Sequence, residues 1–163
     1  MKYIGGNIYA VNGDTPSNYL YSWLNTYWTI TKIDTLGNQI FTTDLEAHKL
    51  LNNFTVQGET LIVPAYVTAD TIGVAGHGVI YLVDNNNGNV MDSISLAYDD
   101  CEIIPYLISP DRHGEYDVYA VRRNDYDNQS VSQHGSTTNE DHLLGGKLHI
   151  YHTDDLHKLQ LNN

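Results

Sequence analysis

YWTITKIDTLGNQIFTTDL, residues 27–45, reads as one β-hairpin. Its first arm alternates, with Trp28, Ile30 and Lys32 on one side and Tyr27, Thr29, Thr31 and Ile33 on the other, and a period of two is the mark of a strand. Gly37-Asn38 supplies the turn. A second segment, GVIYLVDNNNGNVMDSISL, residues 78–96, has the same layout. Its Asn87-Gly88 is a strong hairpin signal, because a tight turn needs left-handed backbone that asparagine and glycine tolerate. Asp34 aligns with Asp84, Gly37 with Gly88, Asn38 with Asn89 and Leu45 with Leu96.

Working outward, Ile8 to Val11, Leu61 to Val67 and Val79 to Val83 are β-branched and aromatic runs of the kind strands prefer. Pro64 and Pro105 interrupt apolar runs, which predicts sheet edges or bulges at those positions. Helical periodicity is weak, and residues 44–51 (DLEAHKLL) are the one candidate, for two turns at most. A degenerate third copy of the hairpin unit is expected from Lys147 through Tyr151, Asp154 and Leu156 to Leu161. The chain therefore divides into units 1–46, 47–97 and 98–163 within a single all-β domain. Residues 122–146 form a polar excursion rich in Asn, Asp, Ser, Gln and Gly, where a long loop often carries function.

A strand, an Asp, a Gly-Asn turn, a second strand and a Leu resemble the outer hairpin of a blade in quinoprotein-like and WD40-like β-propellers. The resemblance covers about three blade-length units and implies antiparallel hairpins in a propeller-like array. Propellers typically close with four to eight blades, so three would need partners or an unusual closure. The same hairpins also suit a single β-sandwich or jelly roll.

Composition narrows the function classes. The 163 residues are 41% hydrophobic and 17% charged, which is globular rather than disordered. Twenty acidic against eight basic residues give a net charge of −12, the opposite of the clustered Lys and Arg that bind a phosphate backbone. Direct nucleic-acid binding is not expected. The one cysteine, Cys101, makes no intrachain disulfide. No apolar stretch reaches the length of a membrane span, and the first residues lack a secretory signal pattern. The expectation is synthesis in the cytoplasm, with carriage on a virion if the protein belongs to a particle.

Candidate chemical sites are few. Asp84 to Asn89 has carboxylate and amide oxygens like a calcium loop, but glycine stands at the fifth position and Ser95 at the twelfth, so a hairpin explains it better. Asp99-Asp100 and Asp154-Asp155 read as solvated turns. His134, His142, His149, His152 and His157 lack zinc spacing, since His149 and His152 point to opposite faces of a regular strand. Residues 111–117 (DRHGEYD) read as an exposed, salt-bridged hairpin end. No nucleophile elbow, Cys–His signature or phosphate loop is present, so no catalytic residue, metal or cofactor is expected. Tyr19, Tyr21 and Trp23 share one strand face and form a candidate binding surface, since Tyr and Trp pair an apolar ring with a polar tip. In the polar excursion, Asp125, Tyr126, Asp127 and His134 form a candidate partner-contact loop.

The sequence thus points to a non-catalytic structural or binding protein acting in an assembly, such as a phage or virus particle component, through protein partners or self-association. The alternatives are an acidic inhibitor or nucleic-acid mimic seated in a basic groove of a partner enzyme, and a carbohydrate-binding module or propeller-type enzyme fragment that takes a glycan.

Overall fold

The computed structural model describes residues 1–13, 27–46, 49–50, 53–67, 76–96, 101–111, 113–124 and 147–160. These residues are all-β and build three antiparallel sheets in chain order. The first is a meander of β1 (Lys2–Ile4), β2 (Asn7–Gly13), β3 (Tyr27–Ile33) and β4 (Gln39–Glu46). The second is centred on β7 (Thr60–Val67), which pairs with β8 (His77–Asp84) on one side; β9 (Val90–Leu96) continues the sheet. Along its other side β7 takes two short strands, β6 (Thr55–Gln57) and β5 (Lys49–Leu50). The third sheet runs β10 (Cys101–Pro110), β11 (Tyr116–Asn124), β12 (Lys147–Thr153), and the chain then makes a 3-10 turn over Leu156–Gln160.

The sheets stack face to face, with the second in the middle. Leu61, Val63, Ala65 and Val83 meet Tyr9, Ile30, Phe41 and Leu45 of the first sheet. On the opposite face, Ile62, Ile80, Ile94 and Leu96 meet Ile103, Ile108, Val118 and Ala120 of the third, closed by Leu156 and Leu159. This explains why Leu61 to Val67 is a continuous apolar run rather than an alternating one: both faces of β7 are covered. The close approach of the third sheet depends on Gly78, where a Cβ would collide with the Ile103 carbonyl and the Pro105 ring.

The two hairpins aligned in the sequence are built alike, with one residue more in the second turn. Each turn closes with the Asp N–H donating to the carbonyl of the Asn: Asp34 to Asn38 at 2.9 Å, and Asp84 to Asn89 at 2.8 Å. Each carries a bulge on the returning strand, which leaves Ile40 and Met91 unpaired and exposed. Pro105 also lies at a bulge, on the edge strand β10. Pro64 sits on the central strand β7, between the residues paired to β6 and those paired to β5.

Two expectations are corrected. Residues 44–46 end β4 and residues 49–50 form β5, so the DLEAHKLL segment is not helical over its described part. Phe41, Thr43 and Leu45 are buried while Thr42, Asp44 and Glu46 are exposed, and that alternation binds the segment to the sheet. The unit from Lys147 is a strand followed by a 3-10 turn, not a third hairpin. A second turn with the Asp-x-x-Gly spacing of Asp34–Gly37 lies instead at Asp111–Glu115, where the Asp111 N–H donates to the Glu115 carbonyl at 2.8 Å and Gly114 holds φ +86°.

Candidate interaction surface

Polar groups of the first two sheets grip one another at the Asp84 turn. Tyr9 donates its hydroxyl to Asn85 Oδ1 at 2.7 Å, and the Lys32 ammonium donates to the Asn85 carbonyl at 2.6 Å. Thr43 donates to the Gly88 carbonyl at 2.6 Å, and a Cβ at Gly88 would stand 2.6 Å from the Phe41 ring. Lys32 is buried between the rings of Tyr9 and Phe41. Burial lowers its pKa, while the Asp84 carboxylate acts the other way. Tyr81 likewise donates across to the Glu46 carbonyl. Tyr9 and Tyr81 thus spend their polar tips joining sheets, not contacting a partner.

The turn carboxylates are occupied as well. Asp34 Oδ1 accepts the N–H groups of Leu36 and Asn38, and Asp84 accepts from the Asn86 N–H and the Asn87 amide. Asp111 accepts from the His113 and Glu115 N–H groups. These oxygens order hairpins in the way Asx turns do, as the sequence reading of Asp84 to Asn89 expects. Among the described residues no group of three His, Cys, Asp or Glu side chains is placed to hold a metal ion.

Two imidazoles are each clamped by two carboxylates. His152 lies 2.9 Å from Asp117 and 3.0 Å from Glu115, and its pKa is raised first by the Asp117 hydrogen bond and then by Glu115. His157 bridges Asp92 at 2.8 Å and Asp155 at 3.0 Å, and is raised by Asp92 and then Asp155. Residues 111–117 are thus a hairpin end whose acids reach across to β12. All these groups stand in solvent. The recess between the second and third sheets is lined by Leu96, Ile103, Val118, Tyr151 and Leu159, with no carboxylate.

The surface that stands out is the outer face of the third sheet. Burial in β12 alternates cleanly, but with an inverted polarity: His149, Tyr151 and Thr153 turn inward, while Leu148 and Ile150 turn outward and are 67% and 59% exposed. Register sets Ile150 beside Tyr119 and Tyr119 beside Leu107, which is 40% exposed. Leu148 lies beside Val121 in the next row. A one-residue slip would bury both aliphatics, and burying an apolar face is normally what sets register. His149 and His152 do point to opposite faces: His149 stacks on Tyr151, and His152 joins Asp117.

Sequence reasoning did not single out Leu107, Leu148 or Ile150. The alternation of residues 147–153 (KLHIYHT) was available, but alternation does not say which side is inside. Tyr19, Tyr21, Trp23, Asp125, Tyr126, Asp127 and His134 all lie outside the described residues, as do Asp99, Asp100 and His142. Trp28 is half-buried and packs against the first hydrophobic cluster. No helix among the described residues is long and apolar enough to cross a membrane. No family model, curated protein or solved structure matches the chain.

Proposed function

We propose that the chain is a non-catalytic structural or binding protein that acts inside a protein assembly and docks through the outer face of its third sheet. One observation carries the reading: β12 exposes Leu148 and Ile150 while turning His149 and Thr153 inward. Exposed aliphatics on β10 and β12, joined by the half-buried Tyr119 and Val121 of β11, form a contiguous patch of the kind found at contact surfaces, whereas scattered ones need no explanation. The carboxylates on this face, Glu115 and Asp117, are both engaged by His152 rather than free for catalysis on a glycan. The inhibitor or mimic reading has less behind it, because the described acids are spread over all three sheets and many are engaged in turns and ion pairs. The same proposal treats the sheets as blade-like units: they stack face to face in chain order, and two share a hairpin closed from Asp to Asn with a bulge on the returning strand. Such a stack leaves an end face for a further unit.

A photoreactive residue at position 148, compared with one at position 31 on the opposite outer face, tests the reading in the protein's native source. Position 148 is expected to couple in high yield to one defined polypeptide, and Ile150→Lys to abolish that coupling. A protein recovered as a monomer, coupling no better from 148 than from 31, would overturn it.

A further inference from the structure

The edges of the three sheets are not alike. A free strand edge offers a row of unpaired N–H and C=O groups that invites another strand, and proteins blunt such edges with short strands, charges, prolines or bulges. The first sheet ends in β1, three residues long, and in β4, which carries Asp44, Glu46 and a bulge. The second ends in the short β5 and β6 and in β9, which carries Asp92 and a bulge. In the third sheet, β10 contains Pro105, Pro110 and a bulge. Strand β12 has one of these devices only, the charge of Lys147 at its first residue. Its seven residues include no proline and no acid and pair regularly with β11, and no strand of the described residues pairs along its other edge.

We infer that β12 pairs antiparallel with β12 of a second copy, joining two third sheets into one six-stranded sheet. The inference rests on the docking role proposed for this sheet and names the first partner it takes. Charge selects a second copy at this place. Two chains of net charge −12 repel over most of their surfaces, yet no Asp or Glu occurs from Leu143 through Thr153. The strand is also suited to its own reverse. With Ile150 on the two-fold axis, Ile150 faces Ile150 of the second copy, Leu148 faces its His152, and His149 faces its Tyr151. Apolar and aromatic residues then meet as favourable cross-strand pairs. The contact is isologous, so both free edges are satisfied at once. The edges left over are the two β10 strands, which proline blunts, so growth stops at two. Pairing also brings the rows of Leu107, Tyr119 and Ile150 from both copies onto one continuous outer face.

Sedimentation velocity across micromolar concentrations is expected to show a monomer–dimer equilibrium. Ile150→Lys, which sets two ammonium groups against each other on the axis, is expected to give monomer only, with the thermal unfolding midpoint of wild type at dilutions where that is monomeric, because the side chain is largely exposed. In a Cys101→Ala background, Ile150→Cys is expected to form an intermolecular disulfide on mild oxidation, and His149→Cys is not. A wild type that stays monomeric, a dimer that survives Ile150→Lys, or equal cross-linking at 149 and 150 overturns the inference. A monomeric chain that still couples to a different polypeptide from position 148 overturns the self-pairing and leaves the docking role standing.

Discussion

Strands β4 and β12 hold the same place in their sheets and present opposite faces to water. Each is the last strand of an outer layer. In β4 the core side holds Phe41, Thr43 and Leu45, and the outer side holds Thr42, Asp44 and Glu46. In β12 the outer side holds Leu148, Ile150 and His152, and the inner side holds His149, Tyr151 and Thr153. The face of β4 continues across the first sheet with Thr31, whose hydroxyl shares a 3.0 Å hydrogen bond with Thr42. The face of β12 continues with Tyr119 and Leu107. The same place at the end of an antiparallel meander therefore yields a finished surface at one end of the stack and an unfinished one at the other. What separates them is the phase of the alternation, not its strength.

The middle sheet makes the comparison meaningful, because it fixes which face of each outer sheet is inside. Ile80→Ala, at a fully buried position facing the third sheet, is expected to cost about 2–5 kcal/mol. Ile150→Ala on the exposed side should cost within about 0.5 kcal/mol in the monomer. Urea unfolding measures both, and equal costs would mean that the faces are wrongly assigned. Next in size is Lys32→Ala at the grip between the first two sheets. It strips the Asn85 carbonyl of its donor and removes the stem packed on Phe41, for a loss of about 1–3 kcal/mol. Unfolding that matches wild type would show that the polar grip contributes nothing.

A smaller effect distinguishes the ends by pH. Raised imidazole pKa values mean that the His152 and His157 clamps stabilise fully below the ordinary histidine value of about 6.5 and fade as pH rises through the raised values. Their acids set the lower limit. Asp92 is lowered by the His157 imidazole, and Asp155 by the His157 N–H and then its imidazole, so these pairs also fade once the carboxylates protonate. The urea midpoint is expected to fall between about pH 6 and pH 8, and His152→Ala with His157→Ala to flatten that fall. A slope unchanged in the double variant would remove the clamps from the account. The smallest expected effect is that of Thr31→Lys on the first sheet, which should alter neither stability nor sedimentation.

Much of this was legible in the residues. The aligned hairpins at Asp34 and Asp84, the alternation of Trp28, Ile30 and Lys32, and the bulge at Pro105 all follow from local backbone chemistry. The 44–51 segment misled because DLEAHKLL has good helix formers, while burial of Thr43 and Leu45 against the second sheet decided its state. Residues 111–117 were legible as a salt-bridged hairpin end, although their charges drew notice away from the Asp-x-x-Gly spacing shared with Asp34. The candidate surface was the least legible. Whether Leu148 or His149 faces inward depends on what Tyr151 and Thr153 find beneath them, and that is settled by packing between sheets distant in sequence.

The most direct test of the contrast is amide hydrogen exchange of β12 and β4, followed as a function of protein concentration. Protection in β12 is predicted to rise with concentration while protection in β4 stays constant. Exchange in β12 that does not change with concentration, or that changes equally in β4, would contradict the claim that the third sheet is the end built for association.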